Sequence, residues 1–484
     1  MPSVNPTDDR GAHGRLTLFY GAVLVVAIGL FFLIRAYGET LAPGAPAVAP
    51  VTGTGHAGDL LPHILLALGA VLLLGRMLSW LLRPLHQPPV IGEVLAGILL
   101  GPSLLGPELS ARILPPEAAP ALGVVAQLGV VLFMFMVGLE LDGGLLRRRA
   151  HAAVAISHAG IVVPFLLGAA LALGLYPRLG TEGVSFTLFA LFLGVAMAIT
   201  AFPILARILT DYDLERTPLG ILALGVAAVD DVTAWCLLAL VVGLASAGVG
   251  SGLLVAAGAL AFVALMFLVA RPFLARVSRQ WTGRPPESVI AGVFIALFAS
   301  ALVADQIGIH AIFGAFLLGA ITPHDGAIAR FFERQLRQTV TVFLLPAFFA
   351  FTGMRTRIDL LSSVDAWVIC GLVVVVATLG KLGGVYAAAR VSGVGRRPAA
   401  ALGALMNARG LMQLIALNIG LELGVISPTL FAMMVLMAIV TTMSAAPLLR
   451  VFLPEPELAQ MTGTAAKPKA APPSPPADVR PAVL

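Results

Sequence analysis

With 484 residues, 59% of them hydrophobic and only 11% charged, at a mean hydropathy of +0.98, the chain has too few charges to cover a water-facing surface. A soluble globular domain is excluded and a multispanning membrane protein is expected. The net charge of +5 and pI near 9.6 do not indicate a nucleic-acid partner, because the basic residues sit in short loops between apolar runs.

Residues 1–15 are polar, and the first apolar run covers 16–34. The Pro/Ala/Gly-rich stretch after it offers only a weak cleavage pattern, so this run is expected to persist as a helix. Thirteen further runs follow, at about 61–82, 90–105, 120–141, 151–175, 185–209, 218–244, 251–270, 287–304, 308–322, 338–354, 365–389, 397–420 and 428–449. The expected fold is therefore all-α and polytopic, with about 14 transmembrane helices: a thirteen-helix core preceded by one extra helix. After Leu453 the Pro/Ala-rich tail reads as disordered. Cys236 and Cys370 both fall inside apolar runs, where they are expected to be small core residues.

With a cytoplasmic N-terminus, fifteen loop arginines fall on the inside (Arg83, Arg147 to Arg149, Arg216, Arg271, Arg276, Arg279, Arg284, Arg330, Arg334, Arg337, Arg390, Arg396 and Arg397). Only five, Arg35, Arg112, Arg178, Arg355 and Arg357, fall outside. The bias holds in register along the chain, so a cell-membrane protein with both termini cytoplasmic is expected.

An internal repeat relates IGEVLAGILLGP (Ile91 to Pro102) to IHAIFGAFLLGA (Ile309 to Ala320) at an offset of 218, and FMVGLELD (Phe135 to Asp142) to AFTGMRTR (Ala350 to Arg357) at 215. The first copy enters from the cytoplasm and the second from outside, so the halves are inverted. The organisation expected is an N-terminal segment 1–60, a first repeat 61–245, a linking helix 246–285, a second repeat 286–452 and a tail 453–484.

The run from Pro218 opens with Thr217 placed to cap and Pro218 in the first turn, and carries Asp230 and Asp231 near its midpoint. Each ionised side chain there costs roughly 2.5–3.5 kcal/mol on the insertion scale, so a structural helix should shed such a pair. Inverted-repeat transporters place an ion site where one helix of each half is interrupted. Two interruptions stand out. AITAFPILAR contains Pro203, which removes an amide donor and pushes Phe202 from helical geometry, with Thr200 beside it; ALMNARGLMQ contains Asn407, Arg409 and Gly410. Arg409 is expected to compensate a half-helix C-terminus. Of three lysines, Lys381 alone lies in the helical region, Lys467 and Lys469 being in the tail. A desolvated lysine can lose its proton where arginine cannot, which makes Lys381 a candidate partner for the aspartates; the alternative is a snorkelling lysine.

Together, VIGEVLAGILLGPSLLG, FMFMVGLELD, AITAFPILARIL, AAVDDVTAW, GIHAIFGAFLLG and MNARGLMQLIALNIG resemble the second family of monovalent cation:proton antiporters. AITAFPILARIL and NARGLMQLIALNIG are similar to its plant cation/proton exchanger branch. The resemblance covers about Leu61 to Leu453 in matching order. It implies a homodimer contacting through 61–105 and 287–322, and a mobile core holding the aspartates, crossing helices and lysine. It also implies that Asp231 binds cation or proton and that Asp230 pairs with Lys381. Two departures are evident: Leu411 stands where members often carry Glu, replaced in part by Gln413, and Asp230 stands where plant-type sequences commonly carry Asn. The latter favours charge-moving exchange by analogy. The tail shows no nucleotide-binding domain like that of the potassium efflux systems, so gating by one is not expected.

The function expected is secondary antiport of sodium or potassium against protons by alternating access, with Asp231 and Asp230 as the transported metal's ligands and Thr200 as an auxiliary oxygen. The alternatives are export of an organic anion or ion complex on the same scaffold, and a cation channel. An enzyme is not expected, since no nucleophile and base stand together, and no cofactor is implied. Glu93, Glu140 and Asp142 are expected to be solvated or capping, and His158 and His310 to make satisfied polar contacts.

Overall fold

The computed structural model describes residues 8–43, 60–85, 87–115, 118–140, 150–215, 217–281, 283–323 and 325–454. Among them every regular element is helical. The first half comprises α1 (Asp8–Gly38), α2 (Leu60–Leu82), α3 (Pro89–Leu100), α4 (Pro107–Ile113), α5 (Ala119–Glu140), α6 (Ala150–Leu179), α7 (Phe186–Ala198), α8 (Phe202–Asp211) and α9 (Pro218–Leu265). The second comprises α10 (Arg271–Arg279), α11 (Glu287–Ile307), α12 (Ala311–Ile321), α13 (Ala327–Thr339), α14 (Leu345–Arg355), α15 (Val364–Val391), α16 (Arg396–Met406), α17 (Leu411–Glu422) and α18 (Pro428–Phe452). Start signals are local. Ser185, Thr217, Ser363 and Ser427 each accept a hydrogen bond from an amide three residues on, satisfying one of the orphan donors of α7, α9, α15 and α18. Five-residue π-turns at Met266–Ala270 and Val340–Leu344 lead into helices whose second residues are Pro272 and Pro346. The wider turn accommodates a residue that has no amide to donate.

Ten described helical spans are long and apolar enough to cross a membrane, eleven with the bent pair α16–α17. Three more apolar helical stretches among the described residues, Leu24–Gly38 within α1, Pro89–Leu100 and Ala311–Ile321, are shorter than the ~20 residues of a full span, so the expected count of fourteen crossings is not confirmed. Helices α3 and α12 are packed mainly against other helices, and a helix lined by protein need not match the thickness of the lipid. The expected runs 218–244 and 251–270 are joined without a loop, since α9 is helical throughout. A Cβ on Gly243 would nevertheless lie 2.9 Å from Val255 Cγ1, whereas twelve residues of straight helix span about 18 Å. The segment therefore doubles back and supplies two spans, Pro218–Ala245 and Ala257–Arg279.

Two bundles result. Helices α2, α3, α5, α11, α12 and α14 pack as one group; α6, α7, α9, α15, α16 and α18 pack as the other, with α1 laid against α6 and α7. The first group is knitted at glycines. A Cβ on Gly97 of α3 would lie 2.1 Å from the Ala350 carbonyl oxygen of α14, and one on Gly319 of α12 would lie 2.2 Å from the Phe135 carbonyl oxygen of α5. Likewise Gly92 closes on Ser79 of α2, and Gly314 on Ser300 of α11. These crossings recur in the two halves, in a register that differs from the sequence match. Phe135 and Ala350 keep the offset of 215, but Gly92 with Gly314 and Gly97 with Gly319 are related by 222, one helical turn beyond the sequence match. Gly92, Gly97 and Gly101 are five and four apart, so Gly319 can be matched to Gly101 or to Gly97; only the partner helix decides between the registers.

Gly97→Ala is expected to force the α3–α14 backbones apart, lowering stability by ~1–3 kcal/mol, because the obstructing atoms are main chain and cannot rotate away. Gly371→Ala, with open space around its Cβ, should be neutral or slightly stabilising. Thermal melts of both variants in one detergent test this; equal melting temperatures would mean that close approach is not what these glycines provide.

Candidate functional site

Both interrupted spans break, and they do so next to each other. Residues 199–201 separate α7 from α8, and residues 407–410 separate α16 from α17, whose axes differ by 43°. The first break lies ahead of Phe202, which is already the first helical residue of α8. Pro203 therefore occupies the opening turn, where its missing amide is one of the groups left unpaired in any helix. The Ala201 amide donates to the Ala408 carbonyl at 3.0 Å and Thr200 Oγ1 to the Met406 carbonyl at 3.2 Å, tying one break to the other. These are the polar groups that irregular backbone must satisfy when it is buried within a membrane protein.

Charges are sorted by the ends of the half-helices. The last turn of α7 presents carbonyls that lack intrahelical partners. Arg409 Nη1 donates to that of Ala196 at 3.1 Å, and Lys381 Nζ to that of Ala198 at 2.6 Å. Cations at a helix C-terminus are favoured by the aligned peptide dipoles, and anions at an N-terminus. Accordingly, Met412 in the first turn of α17 and Ile199, just ahead of α8, line the same small cavity as Asp231. Ala234, Trp235 and Leu238 complete that cavity.

Lys381 Nζ lies 3.1 and 3.2 Å from the two carboxylate oxygens of Asp230, and both side chains are fully buried. Gly380 and Gly384 make this placement possible by bringing α15 against α6: a Cβ on Gly384 would lie 2.8 Å from the Ala159 carbonyl oxygen. Lys381 is thus paired inside the core, and the snorkelling alternative does not describe it. Asp231 is 5% exposed, and its Oδ1 has no hydrogen-bond partner. A buried carboxylate oxygen left unpaired is costly unless it holds a proton or a cation. One acid is therefore neutralised by an amine, while its neighbour faces a cavity and has no ion-pair partner among the described residues.

Of the other expected residues, Thr200 and Asn407 are fully buried. The Thr200 proton is committed to Met406, and Asn407 Nδ2 meets Ser444 Oγ at 3.4 Å while its Oδ1 is unpartnered. Gln413 is buried with both amide atoms unpartnered. The sequence reading did not single out Thr442, whose hydroxyl accepts from the Arg409 amide at 3.0 Å and lies within reach of the Arg409 and Ala438 carbonyls. The hydroxyl run Thr441, Thr442 and Ser444 in an otherwise apolar span was the available signal. Nor did it single out Arg355, which on α14 meets Glu422 at 2.9 Å and Asn418 at 3.2 Å on α17, tying the first bundle to the second half of the broken span.

Three expectations are corrected or left open. Glu93 is buried against Gly75 of α2 rather than solvated, because the glycine lets the two helices close over it. Cys236 is exposed, on the face of α9 that lines a cavity shared with Val255 and Phe313, whereas Cys370 is buried. Asp142 and the tail lie outside the described residues, as does the side chain of Glu140. His158 Nδ1 sits 2.8 Å from the Val154 carbonyl, and the His310 side chain caps α12.

Comparison with known proteins places this geometry in context. The chain is 41% identical over 404 residues to a Na(+)/H(+) antiporter, NhaS4, of Synechocystis, covering 82% of this chain and 98% of that one. It is 40% identical over 394 residues to cation/H(+) antiporter 17 of Arabidopsis thaliana and 32% identical over 385 residues to K(+)/H(+) antiporter 1 of Saccharomyces cerevisiae, covering 80% and 77% of this chain. It spans only about half the length of those two relatives, 48% and 44%. The fold matches that of the sodium proton antiporter MjNhaP1 of Methanocaldococcus jannaschii with a TM-score of 0.62 at 15% identity, over 84% of this chain and all of that one. The family model for the sodium/hydrogen exchanger transmembrane region matches residues 69–451, and the chain belongs to that family.

Proposed function

We propose that the chain exchanges a monovalent cation, sodium or potassium, for protons by alternating access, with Asp231 as the group for which the two compete. The observation that carries this is the asymmetry of the acid pair: Asp230 is held by Lys381, and Asp231 has an unpartnered oxygen beside a cavity. An ionised Asp231 crossing the membrane interior without company is penalised by the desolvation that penalises any charge there. Protonated, or loaded with a partly dehydrated cation that also takes oxygens from the broken helices, it passes. Exchange is then obligatory.

Lys381 supplies the second proton. In the protonated form Asp231 carries a proton and Lys381 stays charged against Asp230; on cation entry both protons leave and both carboxylates face the ion. Two protons then move against one cation, and each cycle transfers one net charge, worth about 2.3 kcal/mol per 100 mV. The bundle of α6, α7, α9, α15, α16 and α18 is the moving part, and the glycine-knitted bundle the fixed one. Residues 61–245 and 286–452 form the inverted halves, joined through 246–285. The functional unit is a homodimer in the cell membrane with both termini cytoplasmic, contributing to pH homeostasis.

Dye-monitored proton flux in inverted vesicles, challenged in turn with lithium, sodium, potassium and rubidium, tests this. Alkalinisation by one or two of these ions, steeper when a membrane potential is imposed, is expected. Absence of a pH response to every alkali cation refutes the exchange, and insensitivity to potential refutes the two-to-one count.

A further inference from the structure

Outside the ion site, the membrane face that carries most of the arginines has a cleft of about 400 Å³ between the loop at 283–285 and helix α13. Arg284, Arg330, Arg334, Phe331 and Gln335 line it. Helix α13 buries Ile328, Ala329 and Phe332 against the bundle, the Phe332 ring meeting Phe294 of α11 edge to face at 5.2 Å. Its opposite face holds Arg330 and Arg334 one turn apart, with Cβ atoms about 6 Å from each other. The Arg284 guanidinium lies over Phe331, 5.8 Å from the ring centroid, so the loop contributes a third cation to the same space.

All three arginines are exposed, and none is paired with a carboxylate among the described residues. Arg337 in the next turn behaves differently: it meets Glu333 at 2.7 Å. Three unpaired guanidiniums around one cleft repel each other unless an anion joins them, and their planar forks suit phosphate oxygens. The surroundings identify the source of that phosphate. Trp281, just ahead of the loop, is 37% exposed, as expected of an indole at the membrane interface. In the span that leads to the loop, Phe267 and Leu268 are exposed apolar side chains.

We propose that this cleft binds the phosphodiester headgroup of an anionic phospholipid, with Arg330 and Arg334 gripping the phosphate, Arg284 as the third cation and the acyl chains lying beside the exposed apolar side chains that precede the loop. A zwitterionic headgroup is disfavoured because its ammonium faces the same three charges. A soluble phosphate gains nothing from the apolar walls. The site is separate from the transport chemistry and is tested without it.

The test is native mass spectrometry of the full-length protein in detergent, titrated with phosphatidylglycerol or phosphatidylcholine. The wild type is expected to retain phosphatidylglycerol selectively. Arg330→Gln and Arg334→Gln should each weaken that retention by roughly fivefold, whereas Arg390→Gln, exposed on α15 and remote from the cleft, should not. Unchanged melting temperatures in phosphatidylcholine show that the variants fold. Equal retention in all three variants, or equal loss in all three, overturns the site in favour of diffuse surface charge. Displacement of bound phosphatidylglycerol by low-millimolar inorganic phosphate overturns the lipid assignment in favour of a soluble ligand.

Discussion

Asp231→Asn is expected to abolish cation-driven alkalinisation of inverted vesicles, lowering flux by about a hundredfold or more, the equivalent of ~2.7 kcal/mol or more on the limiting barrier. Asparagine has nearly the same shape, so the packing of Ile199, Trp235 and Met412 around the cavity is retained. What disappears is a group able to carry a proton in one half-cycle and a negative charge in the other. Stability should not fall with activity. Replacing a buried acid that has no ion-pair partner among the described residues by a neutral amide removes a cost, so the melting temperature should hold or rise. Loss of flux through misfolding would lower both together. Flux close to wild type in a well-folded Asn variant would place the proton and cation elsewhere.

Lys381→Ala is expected to produce the largest loss of stability in the molecule, about 3–5 kcal/mol, because it leaves Asp230 ionised, dry and unpaired while also freeing the Ala198 carbonyl. Removing both members is a different matter. Asp230→Asn combined with Lys381→Gln exchanges a buried ion pair for a neutral hydrogen-bonding pair, and most of the lost stability should return, since an ion pair in a dry interior contributes little beyond its own desolvation. The same double variant bears on the stoichiometry. Without an amine to release a proton, exchange should continue at one proton per cation and lose its response to membrane potential. Thermal melts of the two single variants and the double variant measure the coupling. Strictly additive losses would show that the 3.1 Å contact carries no interaction energy.

Membrane-spanning character, the acid doublet, the solitary lysine and both interruptions were legible in the residues themselves because each violates the apolar composition around it. A charge costs so much in lipid that its presence is information without any knowledge of its neighbours. Other features left no such mark. Nothing in GAVLLLGRML or IGEVLAGILL tells that Gly75 leaves room for α2 and α3 to close over Glu93, and the spacing of Gly92, Gly97 and Gly314, Gly319 is compatible with two registers one turn apart. Thr442 was passed over because hydroxyls in a helix are nearly silent in hydropathy, and Arg355 because it reads as one more loop arginine.

Composition and charge placement thus marked the apolar runs and which side chains are too expensive to be there for packing alone. That Lys381 neutralises Asp230 rather than Asp231 followed from the family resemblance and not from composition or spacing, and the contact itself, like the Ala196 carbonyl that Arg409 reaches, was decided by the fold. Those outcomes depend on helices far apart in the chain, α7 with α16, α9 with α15 and α14 with α17. The energy of a buried charge is set by the few groups within hydrogen-bonding distance, whatever their separation in sequence.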